Sequence, residues 1–119
     1  MHVTGKVDYV ELPAAGASLP AVKAFFAEAF GWSFVDYGPE YAAFSEGLDG
    51  GFYSDPAEAV NKPLVILYGE DLEAVQVKVK AAGGVIVREI FSFPGGRRFH
   101  FRDPAGNELA VWGDPTEAG

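Results

Sequence analysis

Arg98, His100 and Arg102 alternate with Phe99 and Phe101. In an extended strand that alternation sends the three cationic or ionisable side chains to one face and the two rings to the other. Arg88, Arg97, Arg98 and Arg102 are four of only nine basic residues in a chain of formal charge −8, so this segment reverses the sign of its surroundings. A guanidinium presents a planar fork that matches a carboxylate or phosphate, and an imidazole beside it can exchange a proton near neutral pH. Glu11 lies two residues from Tyr9 and shares a strand face with it. Each of these residues also has a plainer reading. Glu11 can be the ion-pair partner of Arg98 or His100, His100 can be a packed strand histidine, and Arg97 and Arg102 can pair across strands with acidic neighbours.

The elements that must position these residues come in a repeated order. Residues 5–12, GKVDYVEL, alternate polar and apolar up to Pro13, as a half-buried strand does. Ser18 caps a helix with Pro20 in its first turn and Val22, Phe25, Phe26, Ala29 and Phe30 at helical spacing, ended by Gly31. Phe25, Phe26, Phe30 and Trp32 are expected in the core. Strands are expected over Trp32–Tyr37, Tyr41–Ser45 and Leu48–Tyr53, with turn-forming residues between them. A second strand-helix set follows: Leu64–Tyr68, then a helix capped by Asp71 with Leu72, Val75, Val79 and Ala82 on one face, stopped by Gly83 and Gly84. Strands over Val85–Phe93, Arg97–Arg102 and Asn107–Trp112 complete it. AVKAFFAEAFGW in the first helix aligns with AVQVKVKAAGGV in the second, and the shared element order marks an internal duplication. The expected organisation is one domain, residues 1–119, with a module at 4–54, a linker at 55–62, a module at 63–113 and a frayed polar tail. Gly50-Gly51 and Gly95-Gly96 are expected in turns, and neither pair fits a phosphate-cradling loop that leads into a helix.

Composition narrows the functional classes. A chain of 119 residues with 17 acidic and 9 basic side chains repels nucleic acid and anionic membrane surfaces, so neither is an expected partner. No cysteine is present, which removes thiolate metal sites and cysteine nucleophiles. Nothing approaches the roughly 18 apolar residues of a membrane span, and the start MHVTGKVDYV does not read as a secretory signal, so a cytoplasmic protein is expected.

FHFRDPAGNELAVW, residues 99–112, and VKAFFAEAFGW near the start resemble the vicinal oxygen chelate superfamily, which includes glyoxalase I, extradiol dioxygenases, fosfomycin-resistance enzymes and bleomycin-binding proteins. The resemblance runs from about Val7 to Trp112. It implies an α+β fold, two tandem βαβββ modules forming a curved mixed sheet half-barrel, and a cavity that usually holds a divalent metal. By that resemblance the usual ligand positions fall on Tyr9, Leu64 and Ala110, the last three residues after Asn107, with no metal-binding side chain around Gly51–Tyr53 for a further ligand. These residues lack the donors a divalent ion needs, so no metal and no cofactor are expected. Glu108 shares the face of Ala110 but directly follows a turn, and it is expected in solvent.

The resemblance makes the face of Tyr9 and Glu11 the cavity side, and positions matching Arg98 and His100 contribute to substrate binding in the fosfomycin-resistance branch. The expected ligand site is therefore Tyr9, Glu11, Arg98 and His100, walled by Leu64, Ile66, Tyr68, Ala110 and Trp112, with Glu11 and His100 as the candidate catalytic pair. Three functions remain open. The first is a metal-free small-molecule binding protein, comparable to the drug-sequestering branch of the superfamily. The second is a metal-independent isomerase or lyase using Glu11 and His100, and the third a metal-dependent lyase or dioxygenase. A homodimer is expected, because two small open sheets expose edges and apolar surface.

Overall fold

The structure, a computed structural model, describes residues 2–14, 18–55, 57 and 59–115. Its elements follow in the order β1 (Val7–Pro13), α1 (Leu19–Phe30), β2 (Val35–Asp36), β3 (Tyr41–Ser45), β4 (Asp49–Tyr53), β5 (Leu64–Tyr68), α2 (Leu72–Ala81), β6 (Val85–Phe93), β7 (Gly96–Arg102) and β8 (Glu108–Gly113). This is an α+β fold in which a βαβββ order occurs twice. Backbone contacts divide it into two units, one from Tyr9 to Leu64 and one combining the residues up to Asp8 with those from Val65 onward. Parts of the expected loop after Pro13, of the linker and of the tail lie outside the described residues, at 15–17, 56, 58 and 116–119. No helix among the described residues is long and apolar enough to cross a membrane.

In the first unit α1 starts where Ser18, in extended backbone, accepts a hydrogen bond from the Ala21 N–H at 3.3 Å. It stops at Gly31, whose φ of 73° is the left-handed conformation a glycine adopts without steric strain. Leu19, Val22 and Phe26 pack on Val10, Leu12, Ala42, Phe44 and Phe52, so every second residue of β1 and β3 turns to the helix. Phe25 and Phe30 depart from expectation, being 58% and 64% exposed. Phe25 lies off the stripe through Leu19, Val22 and Phe26, while Phe30, last in the helix, packs on Phe26 and Trp32 and leaves its other side in solvent. The strand expected over Trp32–Tyr37 shrinks to two paired residues, because Trp32 and Phe34 turn into the core instead of extending the ladder. β3 runs antiparallel to β2 and β4, and β1 lies parallel to β4, with Glu11 opposite Gly51.

In the second unit Asp71 caps α2 by accepting from the Ala74 N–H at 3.1 Å. Leu72, Val75 and Val79 then bury against Phe99, Phe101, Val111, Leu67 and Leu109, whereas Ala82 caps the helix and is exposed. β8 pairs in parallel with β5 and antiparallel with β7, and β7 pairs antiparallel with β6. The β6–β7 ladder shifts register twice, between Ile86 and Arg88 and between Arg88 and Phe91. Each shift moves the following residues to the opposite face. Ile86 and Ile90 therefore pack with the α2 side, while Arg88 and Phe91 lie opposite His100 and Arg98 on the other.

Phe99 has no exposed surface, and replacing it with alanine removes the centre of the α2 core. Phe99→Ala is expected to lower unfolding free energy by about 3–5 kcal/mol, and Phe25→Ala by less than about 0.5 kcal/mol, measured by urea denaturation.

Candidate functional site

In the first unit the face of the sheet turned away from α1 carries Tyr9, Glu11, Tyr41 and Tyr53. Glu11 is 5% exposed. It is held by Tyr41, whose hydroxyl donates to Glu11 Oε2 at 3.1 Å and lies 2.6 Å from the Tyr9 hydroxyl. The reach from β3 to β1 passes over Gly51 of the intervening β4, where an added Cβ would come within 2.4 Å of the Tyr41 ring. On the opposite face Gly50 lies under the Phe44 ring in the same way. Gly50 and Gly51 are thus strand residues that make room for aromatic rings, correcting the expectation of a turn; Gly96 likewise begins β7. Burial, and then the charge of Glu11, raises the Tyr41 phenol above its ordinary range, so it acts as a neutral donor.

In the second unit the face opposite α2 carries Ile66, Tyr68, Arg98, His100, Ala110 and Trp112. Arg98 and His100 are buried, at 8% and 2% exposure. His100 lies across the ladders from Arg88 on β6 and Ala110 on β8. Its Nδ1 is 2.9 Å from Glu108 Oε2, so Glu108, expected in solvent, bends onto the imidazole and keeps only 24% of its side-chain exposure. The Arg88 guanidinium stacks 3.6 Å above the Phe91 ring, and the Arg98 guanidinium lies 5.6 Å from Phe91 and 5.8 Å from Phe93. Burial lowers the His100 pKa, with Arg98 and Arg88 acting in the same sense and Glu108 in the opposite one. Arg97 occupies the other face and grips Glu73 of α2 through two nitrogens, at 2.6 and 3.1 Å, so its acidic partner comes from the helix and not from a neighbouring strand. Arg102 is exposed opposite Glu108.

Tyr68 and Trp112, expected as apolar walls, have their polar ends engaged. Tyr68 donates to Asp114 Oδ2 at 2.6 Å, and Trp112 Nε1 donates to Asp8 Oδ2 at 2.9 Å. His2 bonds Asp8 at 2.8 Å, stacks on Tyr68 at 5.0 Å and meets Trp112 edge-on at 5.1 Å. The structure thus gathers Tyr9 and Glu11 with Tyr41 in one unit, and Arg98, His100, Ala110, Tyr68 and Trp112 on one face of the other. Leu64 is buried and, with Glu11, Leu12, Pro13, Tyr53 and Lys62, borders a depression of about 130 Å³. That figure includes open solvent, and the depression encloses no space even for a water molecule. Sequence reasoning missed Tyr41, Phe91, Phe93 and His2. The glycine opposite Glu11 was the available signal for Tyr41, since a strand glycine marks a close approach.

A divalent ion does not fit these residues. At the three expected ligand positions the Tyr9 phenol is tied to Tyr41, while Leu64 and Ala110 bring no donor atom. Among the described residues no three His, Asp or Glu side chains cluster to hold a metal.

The titrating groups set a pH window for stability. Hydrogen bonding to Asp114 pushes Tyr68 up to about 12, and Tyr41 is also raised, whereas both start from 10.0 in the absence of the fold. Above pH 10 the unfolded chain loses these protons first, so stability falls as pH rises. His100 is lowered from 6.5, so below that pH the unfolded chain takes up its proton first and stability falls again. Urea midpoints measured against pH should be highest between these limits. Tyr41→Phe should flatten the alkaline decline and His100→Gln the acid one.

The model of the Glyoxalase/Bleomycin resistance protein/Dioxygenase superfamily matches residues 6–111. No curated protein matches. Among solved structures the chain is similar to a methylmalonyl-CoA epimerase from Mycobacterium tuberculosis, at 13% identity and a TM-score of 0.72 over 98% of this chain and 93% of that one. An NAD-dependent benzaldehyde dehydrogenase from Legionella pneumophila gives 12% and 0.72 over 89% and 97%. The Mn(II)-bound glyoxalase from Novosphingobium aromaticivorans gives 21% and 0.63, covering all of this chain and 44% of that one. At these identities the likeness is one of fold. With the family model matched over nearly its whole length, the chain belongs to the glyoxalase/bleomycin resistance protein/dioxygenase superfamily.

Proposed function

We propose that this chain is a cytoplasmic small-molecule binding protein of the superfamily that works without a resident divalent metal. The observation that carries this reading is the donor set: a phenol already bonded to a second phenol, a leucine and an alanine stand at the positions where the family resemblance places ligands. The ligand class follows from the second unit, where Arg88, Arg98 and His100 share a face with Phe91 and Phe93 in an otherwise acidic chain. Guanidinium groups and rings together suit a small anionic or amphipathic aromatic molecule. A second reading is a metal-independent isomerase or lyase that uses Glu11 and His100. The support for that reading within this chain is that Glu11 and His100 are both buried and each oriented by a hydrogen bond.

The test is a metabolite panel scored by thermal shift, followed by two neighbouring substitutions. Arg98→Ala should weaken binding of an anionic hit by about 1.5–3 kcal/mol, and Arg97→Ala, on the opposite face, should change it little. The lost charge is the same in both, so equal effects would leave only long-range electrostatics. Elemental analysis of protein purified from metal-replete medium should find no stoichiometric divalent ion, and an ion that survives dialysis would overturn the metal-free reading.

A homodimer belongs to the same proposal. Phe25, Phe30, Val35 and Tyr37 are exposed in the first unit, as are Val77, Val85 and Val87 in the second, which supports an apolar self-association surface. Sedimentation should give twice the chain mass at micromolar concentration, and a monomer at high micromolar concentration would contradict it.

A further inference from the structure

The second unit buries an imidazole nitrogen that makes no hydrogen bond. His100 Nε2 is shielded from solvent without a hydrogen-bond partner among the described residues, while Nδ1 contacts Glu108. The carboxylate oxygen facing Nδ1 is an acceptor, so Nδ1 carries the hydrogen of the neutral ring and the lone pair lies on Nε2. Burial and the guanidiniums of Arg98 and Arg88 oppose a second proton. A buried acceptor without a donor costs stability, and such atoms are rare enough in folded proteins to call for an explanation.

We propose that His100 Nε2 is the hydrogen-bond acceptor for an aromatic or enolic ligand bearing an acidic hydroxyl, with Glu108 as the positioning residue that fixes the imidazole tautomer. This rests on the small-molecule reading above and names its ligand chemistry. The ligand hydroxyl donates to Nε2, which puts partial negative charge on its oxygen, and the guanidiniums of Arg88 and Arg98 stabilise that charge. Phe91, 5.8 Å from the imidazole, offers a ring for an aromatic or conjugated ligand to pack against. Ala110, opposite His100 across the β7–β8 ladder, brings only a methyl group to that side. Nε2 is closed to solvent, so a ligand reaches it by displacing side chains. Arg88 and Phe91 lie on β6, the last strand in the sheet order, where the ladder is already interrupted twice.

The probe is 4-nitrophenol, used at a pH where its hydroxyl is un-ionised, with 4-nitroanisole as the methyl ether that lacks the donor. The chain has two histidines, so nitrogen-15 spectra of labelled protein and of His2→Gln assign His100 directly. The expected result is the Nδ1–H tautomer in the free protein and an upfield shift of Nε2 as 4-nitrophenol binds. Glu108→Gln, a near-isosteric change at a position that keeps 24% of its side-chain exposure and should still fold, should mix the tautomers and weaken 4-nitrophenol about tenfold, roughly one hydrogen bond. It should leave the weaker binding of 4-nitroanisole unchanged. An Nε2–H tautomer, an imidazolium at neutral pH, or 4-nitrophenol binding that leaves the His100 resonances unmoved would overturn the inference. If 4-nitrophenol binds but depends on Arg98 alone, the inference fails while the binding reading stands. If neither it nor any member of the metabolite panel binds, both fail.

Discussion

The burial of Phe99 and Phe101 against α2 is the constraint on which the second unit depends. Side chains alternate along a strand, so committing these two rings to the helix commits Arg98 and His100 to the opposite face. A slip of one residue would put a guanidinium and an imidazole into the apolar core and two phenyl rings outside it. Desolvating an unpaired guanidinium is far more costly than exposing a ring, so the register has no near competitor. Arg97 obeys the same rule from the other side: it faces α2, and Glu73 on the helix meets it with a two-nitrogen contact.

Most of the secondary structure was legible because its signals are local. Ser18, Gly31 and Asp71 act as caps where their side chains or backbone freedom allow, and β3, β5 and β6 have the bounds expected from their apolar pattern. What escaped depends on partners distant in sequence. The pairing of Val35–Asp36 alone, instead of a longer strand, follows from Trp32 and Phe34 finding a better place in the core than in the ladder. The two register shifts in β6 leave no trace in its composition, since Ile86, Arg88 and Ile90 read as a regular alternation until the ladder with β7 is known.

The candidate site divides along the same line. The types of Glu11, Arg98 and His100 announced their chemistry, and strand parity paired Tyr9 with Glu11 and Arg98 with His100. Their hydrogen-bond partners, Tyr41 and Glu108, were not legible. Tyr41 reaches Glu11 from two strands away and only because position 51 has no side chain. Glu108 follows a turn in which Asp103 accepts from the backbone of Ala105 and Asn107, and that turn starts β8 with its first side chain aimed at the imidazole. A sequence shows which groups can ionise; the solvent and partners that set their behaviour are properties of the folded chain.

The absent ligand donors and the buried polar groups point to the same chemistry. A metal site would hold its substrate through a concentrated positive charge at one point, which requires His and carboxylate side chains converging there. Here Leu64 in the first unit and Ala110 in the second bring no donors, while the second unit carries positive charge on the guanidiniums of Arg88 and Arg98, on the sheet face of His100. On the proposed binding reading, charge spread over two guanidiniums stabilises a ligand oxygen through several weaker contacts, and the acceptor on His100 favours a ligand that brings a hydroxyl proton. Each unit, moreover, places its buried ionisable group on the sheet face away from its own helix, Glu11 in one, where Tyr41 bonds it, and His100 in the other, where Glu108 does. Burying such groups is costly without hydrogen-bonding partners, and neighbouring strands bring them, Tyr41 on β3 and Glu108 on β8, so the sheet and not the helices keeps both groups out of water.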